Sequence, residues 1–235
     1  RGVKIVYDCE VTAPIINGER VVGFKTAKGD VFGDLIIDSC GMNSPVRRNL
    51  PKSLNIQNEI EDDGKIRIYR AFYNKCYDDE ILGKFKIILY AGGHPGISWV
   101  SCHDEYTDVL IGRFKHFDEK EALEFTDFLR RTNPRLGKEK LRGGQFAEIP
   151  VRHSLSVMVA DGYAAIGDCA FMPMPLIGNG IANAIMAGKI LADTVSKDEN
   201  ELYTADTLWG YQVGYYKKIG ALLAPVECVK GALLK

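Results

Sequence analysis

The sequence lacks a surplus of either charge. Its 235 residues include 30 Lys and Arg against 31 Asp and Glu, which gives a formal net charge of −1. Nucleic-acid phosphates call for a basic surface, so this balance argues against a nucleic-acid partner. Internal repeats and low-complexity linkers are also missing, while 46% of the residues are hydrophobic and 26% are charged. This composition is typical of a soluble chain that folds around its own core.

Cysteine pairs with the spacing of a metal site are absent as well. The six cysteines are scattered and none forms a CxxC pair, so the sequence predicts no metal site and free thiols in the reducing cytoplasm. The longest uncharged stretch, residues 169–188, contains prolines and glycines that would break a membrane helix. We therefore predict a cytoplasmic protein without a transmembrane segment.

Turn signals and apolar spacing separate the first half of the chain into two parts. Residues 1–50 contain short strands and a hairpin signal at Asn17-Gly18, and the apolar run Leu35–Ile37 predicts a parallel strand buried on both faces. Residues 51–148 hold four segments of alternating apolar residues, which predict an antiparallel sheet with one covered face. A helix capped by Asp118 follows these strands.

The second half returns to the first domain and then becomes helical. In residues 149–196, a short buried strand precedes a glycine-containing turn and a long helix, whose inner face is predicted to carry Ile181, Ile185 and Leu191. Residues 197–235 are predicted to contain amphipathic helices at Leu202–Tyr216 and Val226–Leu234. The fold class is therefore mixed α/β, with an inserted antiparallel sheet of α+β type.

The turn before the long helix is the most informative segment. Gly167 and Asp168 end the preceding strand, and the stretch Pro175–Ile181 opens the helix. The amides and dipole of a helix start favour negative charge, and Gly178 and Gly180 let a ligand approach the backbone closely. The Asp168 carboxylate accepts hydrogen bonds, which suits a sugar or polyol hydroxyl. An ordinary strand-to-helix connection explains the spacing equally well.

This segment resembles the flavin-side motif of FAD-dependent oxidoreductases with the glutathione-reductase-type fold, which are related to p-hydroxybenzoate hydroxylase. Its form Pro-x-x-Gly-x-Gly-Ile-x-x-Ala is most similar to the geranylgeranyl reductase branch. The resemblance implies that residues 1–50 and 149–196 belong to an FAD-binding domain and that residues 51–148 form the substrate domain. Asp168 would then contact the ribityl or ribose part of FAD. The cofactor-binding residues implied by this and the following motif are Gly167, Asp168, Pro175, Gly178, Asn179, Gly180, Ile181, Cys40 and Gly41.

A second segment, Ile36–Arg47, resembles the family pattern V-I-D-A-D-G-x-x-S-x-V-R, whose turn lies near the flavin. Asp38, Gly41, Ser44 and Arg47 match this pattern, whereas Cys40 replaces the second aspartate. The alternative is a plain strand followed by a helix capped by Ser44. We expect Cys40 to pack, and a redox role, with its thiol pKa lowered by the nearby helix start, is the weaker alternative.

Trp99 resembles the tryptophan of an aromatic-x-Trp-x-Phe-Pro stretch in the substrate domain of the same branch. The Phe-Pro and a later glycine of that stretch are missing here. Trp99 is therefore a candidate for the substrate pocket, and a plain core aromatic residue is the favoured alternative. No side chain stands out as catalytic.

The glycine pattern GxGxxG, which holds the FAD pyrophosphate in families of this fold, is absent. The chain also begins with Arg rather than Met, inside a strand-like run. Both observations predict a C-terminal portion that lacks the first βαβ unit of the FAD domain.

The reaction implied by the resemblance has two halves. NAD(P)H or another external donor reduces FAD, and the flavin passes hydride to an apolar, unsaturated small molecule. A lipid substrate would require peripheral access to a membrane. The alternatives are a flavin-dependent monooxygenase and a non-catalytic binding module without the cofactor half, and the sequence carries no signal for the oligomeric state.

Overall fold

A computed structural model describes residues 2–76 and 85–233 and divides them into two compact units. The first unit contains residues 2–61 and 150–233, and the second contains the described residues between 62 and 149. In chain order, the elements are β1 (Val11–Asn17), β2 (Arg20–Thr26), β3 (Gly29–Phe32), β4 (Ile36–Asp38), α1 (Pro45–Arg48), β5 (Lys65–Lys75), β6 (Phe85–Leu89), β7 (Ile97–Cys102), β8 (Tyr106–Arg113), α2 (Glu119–Thr132), β9 (Leu136–Pro150), β10 (Val159–Ala160), β11 (Tyr163–Ala165), α3 (Ile181–Val195), α4 (Ala205–Tyr215) and α5 (Ala221–Leu233).

The first unit contains two small sheets. Strands β1, β2 and β3 form an antiparallel meander, and the second sheet has the order β10-β11-β4 with β11 parallel to β4. The predicted parallel strand at Leu35–Ile37 is therefore confirmed. Burial on both of its faces is wrong, because Ile36 is 6% exposed whereas Ile37 is 53% exposed.

Helix α3 presents a different face to the core than its sequence predicts. Ala187, Ile190 and Leu191 are buried, but Ile181 and Ile185 are 78% and 68% exposed. The inner-face prediction is thus right for Leu191 and wrong for the two isoleucines. The core contacts of α3 come from its second half, where it packs against α4.

The second unit contains a five-stranded sheet with the order β6-β7-β8-β5-β9, whose pairs β6–β7, β7–β8 and β8–β5 are antiparallel. Residues of α2, among them Phe125 and Leu129, join one hydrophobic cluster with Val109 and Ile111 of β8. The capping box predicted at Asp118 is confirmed, because its side chain accepts from the Glu121 amide and the Glu121 side chain accepts from the Asp118 amide.

The C-terminal helices α4 and α5 follow each other through a π-helical turn, Tyr216–Gly220. Helix α5 turns its charged side chains toward the rest of the first unit. Its acid Glu227 accepts hydrogen bonds from His153 and its base Lys230 is buried, while Leu222 is 72% exposed. The charged side chains of α5 are held by residues 151–153, so the surface that remains outside is apolar.

Candidate functional site

Parallel pairing brings the two motif turns side by side. Strands β4 and β11 end at the same edge of their sheet, and the Ile166 amide donates to the Asp38 carbonyl oxygen at 3.0 Å. Cys40 and Gly41 follow β4, whereas Gly167 and Asp168 follow β11. Residues separated by more than 120 positions in the sequence thus form neighbouring turns.

Asp38 is a satisfied structural carboxylate. It is 2% exposed, and its Oδ2 accepts from Ser44 Oγ at 2.5 Å, Tyr163 OH at 3.0 Å and the Arg47 amide at 3.2 Å. Its Oδ1 accepts from the Cys40 amide at 3.0 Å. These bonds tie the end of β4 to α1 and to β11, because a buried carboxylate requires such donors.

Cys40 lies beside this carboxylate and is exposed, so the expectation that it packs in the core is wrong. Partial desolvation of its thiol and the negative charge of Asp38 raise the pKa of Cys40 to about 11. The premise that a helix start lowers this pKa is therefore wrong: the neighbouring aspartate and desolvation act in the opposite direction. Gly41 follows with a φ of +83°, a conformation that favours glycine.

Asp168 differs from Asp38 in its hydrogen bonding. It lies in a single helical turn, Gly167–Ala170, that begins with Gly167 at a φ of +66°. Within the described residues, no group donates a hydrogen bond to the partly exposed Asp168 carboxylate, and burial raises its pKa above the ordinary 3.8. A ligand hydroxyl would supply the missing donor.

The start of α3 faces the same carboxylate. A Cβ atom on Gly180 would lie 3.3 Å from Asp168 Oδ1 and 2.8 Å from Pro173 Cγ, so only glycine fits there without a shift. Gly180 is the N-cap residue and no side chain caps this helix. The first amides of a helix have no acceptor within it, which leaves this end suited to a negatively charged or electron-rich group.

The remaining predicted residues shape the turn that leads into α3. Gly178, with a φ of +70°, donates its amide to the Met174 carbonyl oxygen at 2.9 Å, and the Asn179 carbonyl oxygen accepts from the Met174 amide at 2.9 Å. Pro175 is buried, whereas the side chains of Asn179 and Ile181 are exposed. The contribution of this turn therefore comes from its backbone.

Trp99 belongs to the second unit and lies outside its hydrophobic cluster. Its ring centroid is 5.6 Å from that of Phe85, and its Nε1 donates to Asp108 Oδ2 at 3.4 Å. Phe85 and Ile87 are 54% and 53% exposed on the neighbouring strand, where Ile87 pairs with Trp99. The favoured alternative of a plain core residue is wrong, because Trp99 is half-buried on an open apolar surface.

Sequence reasoning missed the pair that supports this surface. Asp108 is 5% exposed and accepts from Arg70 Nε at 3.0 Å and Arg70 Nη2 at 2.8 Å. The two residues are 38 positions apart and meet only because β5 pairs with β8. Among the residues described, no cluster of three or more His, Cys, Asp or Glu side chains could hold a metal ion.

Comparison with known proteins gives one group of relatives. The chain is 35% identical over 208 residues to a digeranylgeranylglycerophospholipid reductase of Methanoculleus marisnigri, covering 83% of this chain and 49% of the relative. It is 25% identical to the protein of the same name from Sulfolobus acidocaldarius, covering all of this chain and 54% of the relative. No established family profile matches the chain.

Comparison with solved structures gives a protein with a related name. A geranylgeranyl bacteriochlorophyll reductase-like protein of Thermoplasma acidophilum matches with a TM-score of 0.79 and 21% identity, over 96% of this chain and 58% of the other. The chain is thus a partial-length relative of proteins named digeranylgeranylglycerophospholipid reductases, and it shares the fold of a geranylgeranyl reductase-like protein. It spans about half the length of the curated relatives it matches.

The same fold occurs in flavoproteins with other chemistry. The flavin-dependent halogenase BrvH from Brevundimonas sp. BAL3 matches with a TM-score of 0.63 and 17% identity, over 89% of this chain and 41% of the other. These structural matches confirm the predicted fold class. Within the described residues, no helix has the length and apolar character needed to cross a membrane.

The residues at the site fit FAD. The Asp168 carboxylate accepts no hydrogen bond from the part of the chain that the structure describes, and FAD carries hydroxyl groups that could donate one. The uncapped start of α3 suits the electron-rich edge of a flavin. Gly180 keeps the space between these two features free of a side chain.

Proposed function

We propose that this chain forms the flavin-ring side of an FAD site in a reductase that acts on an apolar, unsaturated lipid. The observation that carries the proposal is the donor-free carboxylate of Asp168 beside the uncapped start of α3. Relatives named digeranylgeranylglycerophospholipid reductases support the substrate class.

Each residue of the site has a physical role in this proposal. Asp168 accepts a hydrogen bond from a ribityl or ribose hydroxyl, and the amides of Ile181 and Ala182 stabilise negative charge at the cofactor edge. Gly180 leaves room for close approach of the ring. When bound and reduced by NAD(P)H or another external donor, FAD would supply the hydride for saturation of a carbon–carbon double bond, and a proton would complete the addition.

The second unit offers a surface for the substrate chain. Trp99, Phe85 and Ile87 present adjoining apolar groups, and Leu89 on the same strand is 62% exposed. Burial of an apolar chain against such groups contributes about 25 cal/mol per Å² of surface removed from water. The Asp108 carboxylate, which is paired with Arg70, accepts a hydrogen bond from the Trp99 indole and stabilises its position.

A flavin titration tests the cofactor site. FAD is added to the chain, and to the chain extended at its N terminus by the first βαβ unit of a curated relative, while flavin fluorescence is recorded. We expect saturable binding that is weakened at least tenfold in Asp168→Ala and Gly180→Val. Asp193→Ala is a matched control, because that exposed acid pairs with Lys189 away from the site. Absence of binding in both proteins would contradict the proposal.

A flavin-dependent monooxygenase is the second candidate, because flavin-dependent halogenases share the fold. Oxygen consumption separates the two functions. A reductase saturates a carbon–carbon double bond without oxygen, which mass spectrometry detects as a gain of two hydrogen atoms. A monooxygenase requires substrate-dependent oxygen uptake.

A further inference from the structure

Helix α5 has its charged side chains on the inside. Glu227 Oε2 accepts from the His153 amide at 3.0 Å and from His153 Nδ1 at 2.7 Å. Lys230, which is 6% exposed, donates from Nζ to the Val151 carbonyl oxygen at 2.6 Å. Both bonds fix one side of α5 to residues 151–153, so its opposite side is held outward.

The outward side of α5, here called the α5 outer face, consists of uncharged residues. Leu222, Pro225 and Val229 follow the spacing of three and four that places residues on one stripe of a helix. Leu222 is 72% and Val229 is 52% exposed. Between positions 221 and 229 the face is Ala221, Leu222, Ala224, Pro225, Cys228 and Val229, all exposed.

Two lysines stand at the N-terminal end of this face. Lys217 and Lys218 lie in the π-helical turn before α5, and both are exposed. In the part of the chain that the structure describes, neither lysine is paired with an acid. The surface therefore combines an apolar body with a positive end.

Other helices of the molecule expose charges of both signs. Helix α3 carries the exposed pair Lys189–Asp193, and α2 carries Lys120–Glu124. The α5 outer face has no such pair. Exposed apolar groups next to lysines, without acids, are the pattern of helices that lie in a membrane interface.

We propose that the α5 outer face binds the surface of a membrane that contains anionic lipids. Its apolar groups would enter the boundary between headgroups and acyl chains, and Lys217 and Lys218 would contact lipid phosphates. This inference adds a membrane-binding surface to the proposed reductase and does not require bound FAD. Charge complementarity selects lipid phosphate as the partner, because an apolar protein surface alone would not need the two lysines.

Co-sedimentation with vesicles tests the proposal. We expect the chain to sediment with vesicles of equal parts phosphatidylcholine and phosphatidylglycerol and to bind vesicles of phosphatidylcholine alone more weakly. The double variant Leu222→Glu/Val229→Glu should lose at least tenfold in affinity for both kinds of vesicle, because charged side chains do not enter the boundary between headgroups and acyl chains. Replacing Lys217 or Lys218 by Ala should cost about fivefold each on anionic vesicles only.

Matched controls separate binding from folding. Leu202→Glu changes another exposed leucine, which is 54% exposed outside α5, and should bind as the unchanged chain does. Because Leu222 and Val229 are exposed, their variants should keep the thermal unfolding temperature. Vesicles should also slow maleimide labelling of Cys228 and leave labelling of the exposed Cys76 unchanged, as read by mass spectrometry.

Two results would overturn the inference. One is sedimentation with vesicles that is absent or is unchanged in Leu222→Glu/Val229→Glu. The other is a concentration-dependent dimer that this variant abolishes while vesicles have no effect, since the face would then bind a second copy. FAD titration of the same samples tests the proposed function separately, because the Leu222→Glu/Val229→Glu variant should bind FAD as the unchanged chain does.

Discussion

The two aspartates at the ends of β4 and β11 share one sheet edge but have opposite surroundings. Asp38 is almost fully buried and accepts hydrogen bonds from Ser44, Arg47, Tyr163 and Cys40. Asp168 is partly exposed and, within the described residues, accepts none through its side chain. The difference separates a carboxylate that holds the fold together from one that is available to a ligand.

The largest expected difference is in stability. Asp38→Ala removes the acceptor of several buried donors and should lower the free energy of unfolding by about 3 kcal/mol or more. Asp168→Ala removes a desolvated carboxylate without a donor and should leave this free energy unchanged or raise it. Guanidinium unfolding of both variants measures the contrast, and equal losses would contradict the assignment of Asp38 as the structural residue.

Two glycines of α3 give the next contrast. A Cβ on Gly180 would lie 2.8 Å from Pro173 Cγ, so Gly180→Ala should cost about 1–2 kcal/mol through overpacking. A Cβ on Gly188 would lie 3.5 Å from Ile166 Cδ1, an ordinary contact, so Gly188→Ala should stabilise the helix by up to about 1 kcal/mol. Thermal unfolding measures both, and a stable Gly180→Ala protein would show that the start of α3 has more room than its geometry indicates.

A smaller effect is expected in the pH dependence of stability. Burial raises the pKa of Asp168 above 3.8, so the folded chain holds this proton more tightly than the unfolded chain. The resulting contribution to the free energy of unfolding is fully present below pH 3.8, the ordinary pKa of the unfolded chain. It is lost as the pH rises through the raised pKa of the folded chain. The free energy of unfolding of the unchanged chain, relative to Asp168→Asn, should therefore decrease over that window and then level off. Urea unfolding at a series of pH values measures this difference, and an increase with pH would have the wrong sign.

The smallest effect concerns reactivity and not stability. Burial and the Asp38 charge raise the pKa of Cys40 to about 11, so its thiol stays protonated near neutral pH. Its alkylation by iodoacetamide at pH 8 should be slow, and the rate should rise with pH toward a midpoint near 11. Peptide mass spectrometry of the alkylated protein follows this residue alone. Rapid labelling at neutral pH would restore the reactive-thiol alternative.

Local signals made part of this structure predictable. The capping box at Asp118 and the N-cap of Ser44 depend on side chains within three residues, which the sequence displays directly. The glycine turn before α3 was also recognisable, because glycines in a sequence mark positions where the backbone can adopt positive φ. Gly167 and Gly178 both do so. The flavin-side motifs therefore pointed to two turns, which the parallel pairing of β4 and β11 brings together.

Long-range contacts account for what the sequence did not reveal. Asp38 receives one of its donors from Tyr163, which is 125 positions away, so the distinct roles of the two aspartates follow only from the fold. Strand β9 escaped prediction because five of its fifteen residues are charged and Gly143 and Gly144 interrupt its pattern. Gly143 is required there, since a Cβ would lie 2.7 Å from the Arg70 carbonyl oxygen of the neighbouring strand.

Thermal unfolding of the chain extended by a relative's first βαβ unit, with and without FAD, tests the ligand role of Asp168 most directly. Measurement on the parent and on Asp168→Asn gives four unfolding temperatures. We expect FAD to raise the temperature of the parent but scarcely that of Asp168→Asn, because ligand that binds only the folded state stabilises it. Without FAD, Asp168→Asn should unfold at the same or a higher temperature. An equal rise in both proteins would contradict the account, as would a variant that is less stable without the ligand.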